Sequence, residues 1–308
     1  MHMDEHVSTE AGQDQLGANG VSSATQKDDG CQQVYQIPRR IIQTANSAPQ
    51  AVRLRAMVSN MRLLHPDYEY LFFDYDGREK FIDQEFPQYR AVYESFRFPI
   101  QRYDFFRYLA IYRHGGFYFD LDVLLATSLS ELLKYGCVFP FERLTLSSFL
   151  RAEYNMDWEI GNYGFGAAQG HPFMQAIIEN CIRGQKDPAW VKPMLRGLPP
   201  LVESDFYILY STGPGLVSRT LAENPKLANM VTVLFPDDVC DLSNWNLFGD
   251  FGVHLMDGAW RKKKGPVRGR LERILVDWKR RKLLQQSRLL GKTRCHPPND
   301  GSAGSISS

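Results

Sequence analysis

Apolar residues in the first third of the chain follow two different periods. Residues 37–43 (IPRRIIQ) and residues 68–73 (YEYLFF) are short apolar runs, which are typical of buried strands. Between these runs, apolar residues recur at the i, i+3, i+4, i+7 spacing of an amphipathic helix: Leu54, Met57, Val58, Met61 and Leu64. Pro66 ends that pattern, because proline cannot continue a helix.

The next two predicted elements meet at a double glycine. Residues 103–113 predict a helix, and residues 117–122 predict a strand that runs out of the core. Gly115 and Gly116 lie between them and predict a tight reversal, since glycine tolerates backbone angles that other residues avoid. A helix and a strand are therefore expected to pack directly against each other here.

Later segments continue the alternation of helix and strand. Ser128 and Glu131 have the spacing of a capping box ahead of a helix over ELLKYG. Pro172 and Gly184 bracket a further helix, Pro214 opens another after the turn STG, and MVTVLF predicts a late strand. The alternation indicates an α/β layered fold in which strands pack between helices.

Composition divides the chain into four segments. Residues 1–33 are polar, lack aromatic residues and predict a disordered tail, as do residues 295–308. Residues 34–260 are long enough for one large domain. Residues 261–294 contain 14 Lys and Arg against two acidic residues, which leaves 22 basic and 33 acidic residues elsewhere. Such an acidic body is not typical of nucleic-acid-binding proteins, which spread basic residues over the folded surface.

The sequence carries no signal for a membrane span or for secretion. Runs of about 18 apolar residues are absent, and the N-terminus lacks the basic and apolar regions of a signal peptide. The five cysteines are widely spaced without a CxxC pair, which argues against a disulfide framework or a thiolate zinc site. These features predict a cytoplasmic protein, with peripheral contact to the cytoplasmic membrane face.

Two carboxylates at the end of the strand over residues 117–122 carry the strongest chemical signal. Asp120 and Asp122 lie two residues apart, so both side chains project from one face of an extended backbone. Together they could hold Mg²⁺ or Mn²⁺, which prefer oxygen ligands and often bridge carboxylates to substrate phosphates. Asp74 and Asp76 repeat the spacing, but they are expected to lie in a solvated turn after a strand.

The order of several motifs resembles a known family. Six motifs in this order are similar to those of the DXD-containing glycosyltransferases of family 32. They are IPRRIIQT, HPDYEY, R-x-D-x-x-R-Y followed by GG-x-Y-x-D-x-D, GNYGFGAAQGHPF, STGP and H-x-x-x-G-x-W. That family is related to initiating mannosyltransferases, galactosyltransferases and glucosylating toxins. The resemblance implies a single GT-A domain, in which a Rossmann-like sheet that binds a nucleotide sugar is flanked by helices. It also implies a UDP- or GDP-hexose donor, Mn²⁺ or Mg²⁺, and retention of anomeric configuration.

The resemblance assigns catalysis to four charged residues. It places Asp122 on the metal, and Asp120 on the donor ribose and sugar with a contact to the metal as well. Asp104 and Arg107 correspond to a pair that grips the hydroxyls of the transferred sugar. Without the resemblance, this i, i+3 pair would be a surface ion pair of little energetic weight.

Further positions correspond to donor-binding and metal-binding residues. Gln43 and Thr44 correspond to the strand end where the base and ribose lie, although the next residue, Ala45, provides no aromatic platform for the base. Asn162 corresponds to a position beside the reacting sugar, with a loop-stabilising amide as the alternative. His254 could complete the metal shell, and Trp260 could reach the diphosphate.

The resemblance implies a metal-dependent retaining glycosyltransferase that moves a hexose to the hydroxyl of a glycan, a lipid-linked acceptor or a protein. Two alternatives use the same acids: a nucleotidyltransferase or nucleotide-sugar hydrolase, and a non-catalytic protein that binds sugar nucleotides. The sequence does not identify the base of the donor, the sugar that is transferred or the acceptor.

Residues 261–294 predict a basic amphipathic helix. Four apolar residues recur at helical spacing among many basic ones: Leu271, Ile274, Leu275 and Trp278. Such a helix could lie on anionic lipid, or it could pack its apolar stripe on the domain and leave a solvated basic face.

Overall fold

A mixed sheet forms the centre of the computed structural model, which describes residues 35–198, 202–255 and 266–287. The strands of this part of the chain are β1 (Arg40–Thr44), β2 (Glu69–Phe73), β3 (Gly116–Phe119), β4 (Val123–Leu125), β5 (Cys137–Leu144), β6 (Trp158–Ile160), β7 (Gly164–Ala167), β8 (Thr232–Leu234) and β9 (Gly252–His254). Seven of them form one sheet in the order β2-β1-β3-β7-β5-β6, with β8 also paired to β5. β4 and β9 form a separate antiparallel pair.

Helices cover the sheet and account for most of the remaining described residues. They are α1 (Val52–Leu64), α2 (Tyr75–Glu85), α3 (Arg90–Ser95), α4 (Pro99–His114), α5 (Ser148–Tyr154), α6 (Pro172–Lys186), α7 (Pro188–Val191), α8 (Glu203–Ser211), α9 (Pro214–Glu223), α10 (Pro225–Ala228) and α11 (Pro266–Leu284). This sheet flanked by helices confirms the predicted α/β class of the GT-A kind.

The strand order creates a crevice at one edge of the sheet. β1 pairs in parallel with β2 on one side and with β3 on the other. The chain therefore leaves β1 in one direction and returns to its other side for β3. In open α/β sheets, ligands bind at such a switch point, beyond the carboxyl ends of the strands. Here those ends are Thr44 of β1 and Phe119 of β3.

Alternating side chains of the strands feed two hydrophobic layers. In β1, Ile42 joins the layer formed with α2, α4 and α6, whereas Ile41 joins the layer on the side of α1. In β3, Tyr118 faces the first layer, while Phe117 and Phe119 face the second. This is the period of two that a strand buried on both faces requires.

Most predicted elements are present with shifted ends. The helix predicted over residues 103–113 lies within α4, and the strand predicted over residues 117–122 ends earlier, at Phe119. Gly115 and Gly116 make the expected reversal with φ of 65° and 104°. A Cβ on Gly116 would lie 2.6 Å from the carbonyl oxygen of Arg40, so a larger residue would separate β3 from β1.

Two local predictions are wrong. Asp74 and Asp76 do not form a simple turn: Asp74 caps α2, and its carboxylate accepts a 2.8 Å hydrogen bond from the amide of Gly77. Ser128 and Glu131 do not open an α-helix, since only a short 3₁₀ turn, Ser130–Leu132, forms there. The segment ELLKYG is too short to stabilise a helix against the competing turn.

Several predictions fall outside the described residues, namely the two tails over residues 1–33 and 295–308, and the positions Gly258 and Trp260. In the part of the chain that the structure describes, no helix is both long and apolar enough to cross a membrane.

His171 caps α6 and gives the fold an acid-sensitive position. Its Nδ1 accepts a hydrogen bond from the amide of Phe173 (3.2 Å), and burial lowers its pKa to about 4. Because the folded state takes up this proton less readily than the unfolded state, stability from His171 is complete above about pH 6.5 and declines as the pH falls toward 4.

Replacing His171 with asparagine substitutes a side-chain oxygen for the capping nitrogen and removes the titration. We expect the wild type to lose stability relative to H171N between about pH 7 and about pH 4.5, as measured by thermal unfolding. Parallel profiles for the two proteins would contradict this assignment.

Candidate functional site

The carboxyl ends of β1 and β3 are joined by an amide side chain. Gln43, which is 1% exposed, points its Nε2 at the carbonyl oxygens of Phe119 (3.4 Å) and Asp120 (3.3 Å). Its Oε1 accepts a 2.8 Å hydrogen bond from the hydroxyl of Tyr70. Gln43 therefore fixes the backbone where β3 gives way to the D-x-D segment.

Asp120, Asp122 and His254 form a cluster at this edge of the sheet. Pairing of β4 with β9 sets Val123 opposite His254, which brings the imidazole beside the preceding residue, Asp122. His254 Nε2 lies 3.4 Å from Asp122 Oδ1. One potential ligand atom from each of the three residues lies within 4.8 Å of the other two. The structure thus brings together the three predicted metal-binding residues.

The charges of this cluster stabilise one another. Burial would raise the pKa of Asp122, but hydrogen bonding and charge interaction with His254 hold it below the usual value. Burial would likewise lower the pKa of His254, yet the hydrogen bond to Asp122 and the charge of Asp120 raise it. The ring of Tyr163 stacks on His254 with a centroid distance of 4.4 Å, which fixes the plane of the imidazole.

Arg107 lies behind the D-x-D segment and bridges two carboxylates. Its guanidinium is 3.3 Å from Asp104 Oδ1, one turn earlier on α4, and 3.2 Å from Asp120 Oδ1. It also donates to the carbonyl oxygen of Asn162 (2.8 Å) and lies 4.7 Å from the ring centre of Tyr118. The Arg107 side chain is only 5% exposed. The surface ion pair considered as an alternative is therefore excluded.

Asp104 is held by a buried network. Its carboxylate accepts hydrogen bonds from Thr212 Oγ1 (2.9 Å) and Asn162 Nδ2 (3.1 Å), in addition to the ion pair with Arg107. Burial raises the pKa of Asp104 to about 6, although Arg107 and the bond from Thr212 oppose the rise. Asn162 thus contacts Asp104, and Thr212 of the predicted turn joins the network.

Thr44 and Ala45 lie beside an arginine that sequence reasoning missed. Arg78 of α2 is buried and donates to Thr44 Oγ1 (3.0 Å), to the carbonyl oxygen of Ala45 (2.5 Å) and to Asn46 Oδ1 (3.1 Å). Its guanidinium lies 4.2 Å from the ring centre of Tyr103. No spacing in the sequence links Arg78 to β1, so only the tertiary fold reveals this contact.

The donor atoms at the cluster suit a divalent cation. Carboxylates with one imidazole are ligands that Mn²⁺ accepts, and carboxylates with substrate phosphates are the usual ligands of Mg²⁺. Asp104 and Asp120 pair with the Arg107 guanidinium, while Asp122 lies with Asp120 and His254 in the cluster. The negative charge of Asp120 and Asp122 in this cluster favours binding of a cation.

Comparison with known proteins shows that part of this site is similar to a known family. Residues 51–139, which include the D-x-D segment, match the family described as "glycosyltransferase sugar-binding region containing DXD motif". Residues 51–139 of this chain are thus similar to the sugar-binding region of the DXD glycosyltransferases. The resemblance drawn from the motifs is therefore confirmed.

Curated relatives of this DXD glycosyltransferase region are fungal enzymes named for lipid glycosylation. Inositol phosphoceramide mannosyltransferase 3 of Schizosaccharomyces pombe is 35% identical over 120 residues, which are 39% of this chain and 30% of that protein. Mannosyl phosphorylinositol ceramide synthase CSH1 of Saccharomyces cerevisiae is 28% identical over 180 residues, 57% of this chain and 41% of that protein. The chain thus spans less than half the length of either relative.

Solved glycosyltransferase domains of toxins are more distant. PaToxG glycosyltransferase has 15% identity and a TM-score of 0.42, over 63% of this chain and 73% of that one. The UDP-bound glycosyltransferase domain from the YGT toxin has 10% identity and a TM-score of 0.37, over 64% and 79%. At these TM-scores, the superpositions do not support the assignment of a role to any residue.

The predicted cytoplasmic location, with contact to the cytoplasmic membrane face, is wrong. The relatives are yeast inositol phosphoceramide mannosyltransferases, which act in the Golgi lumen. The prediction rested on features missing from the sequence, and such absences carry little information about compartment.

Proposed function

We propose that this chain is a metal-dependent retaining glycosyltransferase that moves a hexose from a nucleoside-diphosphate sugar to an acceptor hydroxyl. The cluster of Asp120, Asp122 and His254, backed by Arg107, is the observation that carries the proposal. The cluster lies at the edge of the sheet where nucleotides bind in open α/β folds.

Each residue of the cluster has a task in this reaction. A divalent cation held by Asp120, Asp122 and His254 would supply Lewis-acid stabilisation of the diphosphate leaving group. Arg107 holds the Asp120 carboxylate in place, and the hydroxyl of Tyr118 donates a 2.7 Å hydrogen bond to the same carboxylate. Because these contacts already hold the Asp120 carboxylate in position, it needs little reorganisation during the reaction.

Donor binding would extend from the cluster along β1. Gln43 and Thr44 lie at the end of this strand, and Asp104 and Asn162 both contact Arg107. We assign the ribose and base to the β1 side and the sugar to the side of Asp104 and Asn162. Trp260 remains a predicted contact to the diphosphate.

The names of the relatives suggest the sugar and the acceptor. They are named for transfer of mannose to inositol phosphoceramide, so we propose mannose as the hexose and the inositol hydroxyl of a phosphosphingolipid as the acceptor. A panel of nucleotide sugars with Mn²⁺ tests the donor. We expect a nucleoside-diphosphate hexose to raise the melting temperature only with the metal present. Equal shifts after addition of EDTA would contradict metal dependence.

The outer face of α11 supports a lipid acceptor. Val276 and Leu283 of this helix pack against the domain, whereas three residues of the predicted apolar stripe, Ile274, Leu275 and Trp278, do not. Ile274 and Trp278 remain 55% and 59% exposed on the same helix, and exposed Lys282 lies 5.7 Å from the ring centre of Trp278. An exposed apolar surface bordered by basic residues fits an anionic lipid surface. We therefore propose that α11 contacts the bilayer that contains the acceptor.

Vesicle binding tests this contact. Replacing Ile274 and Trp278 with asparagine is expected to reduce co-sedimentation with phosphatidylserine-containing vesicles by about 100-fold or more, since roughly 1.5–3 kcal/mol is lost for each of the two apolar side chains. Leu63 of α1, which is 80% exposed, provides the matched control variant L63N. Equal loss in both variants, or unchanged binding in the α11 variant, would contradict the proposal.

A further inference from the structure

Glu142 is a carboxylate near the cluster that no motif singles out. It lies in β5 at a β-bulge: Phe141 pairs with Ile160 and Arg143 pairs with Glu159, so Glu142 is the extra residue of its strand. Bulges occur often beside active sites, where they redirect a side chain.

The register of the sheet places Glu142 level with the D-x-D segment. Cys137 of β5 and Gly116 of β3 both pair with Ala167 of β7, so β5 and β3 lie on either side of β7 and run in the same direction. Glu142 lies five residues beyond Cys137, while Asp120 lies four residues beyond Gly116. The bulge therefore occurs at the same edge of the sheet as the metal-binding cluster.

Contacts around Gly161 connect Glu142 to this cluster. A Cβ added to Gly161 would lie 2.7 Å from Glu142 Oε2 and 2.8 Å from Cε1 of Tyr163. The carboxylate and the Tyr163 ring thus approach the same side of Gly161, and that ring stacks on His254. Only glycine leaves room for the carboxylate here, which gives a physical reason for glycine in the GNYGFG segment.

The arginine charges that act on Glu142 are those of Arg143 and Arg280, and among the described contacts neither forms a close ion pair with it. Its side chain is 18% exposed, and its described ion pair is to Arg143 NH1 at 3.9 Å. Arg143 is engaged more closely by Glu159, at 3.0 Å. Among the described residues, no hydrogen bond to the Glu142 carboxylate is formed, so its oxygens can accept hydrogen bonds from a ligand.

We propose that Glu142 binds the acceptor, accepting a hydrogen bond from a hydroxyl of a polyol next to the one that is glycosylated. The inference rests on the proposed glycosyl transfer. A carboxylate repels the anionic diphosphate of the donor, and Glu142 is not one of the three residues of the ligand cluster. A neutral hydroxyl-bearing ring is the substrate group that suits it.

Kinetics of Glu142→Gln test this role. With Mn²⁺, GDP-mannose and vesicles containing inositol phosphoceramide, we expect the acceptor KM to rise about tenfold or more, because a charge-assisted hydrogen bond is lost. The KM for GDP-mannose is expected to change less than about twofold, since donor binding depends on other residues. Glu153→Gln, an exposed glutamate in α5, is the matched control and should leave both KM values unchanged.

Three outcomes separate the possibilities. An unchanged acceptor KM in E142Q would overturn the acceptor role, and equal increases of both KM values would show a structural role instead. If E142Q unfolds, Glu142→Asp keeps the charge on a shorter side chain, and an acceptor KM equal to that of wild type would overturn the role. If wild-type protein neither hydrolyses GDP-mannose nor transfers mannose, the proposed function fails independently of Glu142.

Discussion

Replacing Asp122 with asparagine is expected to lower kcat/KM for hexose transfer by about 10²–10³-fold. The amide removes one negative charge from the metal-binding cluster and weakens the contact that holds His254, whose Nε2 lies 3.4 Å from Asp122 Oδ1. Initial rates of transfer in Mn²⁺ measure the loss of activity. Calorimetric titration with Mn²⁺ alone, at a pH where His254 is neutral, is expected to show weakened binding.

The second D-x-D sequence of the chain provides the control. Asp76 is exposed in the first turn of α2 and lies outside the cluster. Asp76→Asn should therefore retain full transfer activity, with stability reduced by no more than about 1 kcal/mol from the lost helix-dipole interaction. Full activity of D122N in buffer freed of metal would contradict the role given to Asp122.

Replacing Arg107 with methionine is expected to destabilise the fold by about 3–5 kcal/mol. The substitution leaves the carboxylates of Asp104 and Asp120 without the guanidinium that lies 3.3 Å and 3.2 Å from them. For a domain of this size, the loss corresponds to a fall in melting temperature of about 10 °C. Thermal and denaturant unfolding at neutral pH measure the change.

A second arginine of α4 separates this effect from a general loss of charge. Arg113 is 44% exposed and pairs with Glu85 at 2.5 Å, so R113M should cost less than about 1 kcal/mol. The penalty in R107M should also shrink as the pH falls toward about 6, because Asp104 without Arg107 takes up a proton at a higher pH than in the wild type and so loses its buried charge. Equal stability of R107M and R113M at neutral pH would contradict the buried network.

The centre of the site could be predicted because its signals are local. Asp120 and Asp122 share a face in an extended segment, and Asp104 and Arg107 share a face of a helix, so spacing alone brings each pair together. The double glycine between them predicts how helix and strand meet. For this reason the sequence predicts both the D-x-D pair and its arginine.

The residues at the periphery of the site are positioned by pairing between segments that are distant in the sequence. His254 reaches Asp122 only because β9 pairs with β4, and Glu142 is redirected only by a bulge against β6. Arg78 reaches Thr44 through the packing of α2 beside β1. No periodicity within a single segment contains this information, and family resemblance was needed to select His254.

The two failed local predictions concern segments whose residues suit more than one local structure. Ser128 and Glu131 have the spacing of a capping box, but the following segment packs Leu132 into the core as a short turn. Asp74 has a carboxylate that either a turn or a helix cap can use, and the amide of Gly77 decides in favour of the cap. In the first case tertiary packing decides between competing local structures, and in the second a local hydrogen bond does.

The most direct measurement follows labelled mannose from GDP-mannose into lipid. Wild-type protein, Mn²⁺ and vesicles with inositol phosphoceramide are incubated, and the lipid fraction is analysed by mass spectrometry with D122N alongside. The account predicts a mannosylated lipid that requires both the metal and Asp122. Release of the nucleotide with all of the label recovered as free mannose or mannose phosphate, and none attached to any hydroxyl, would identify a hydrolase and contradict the account.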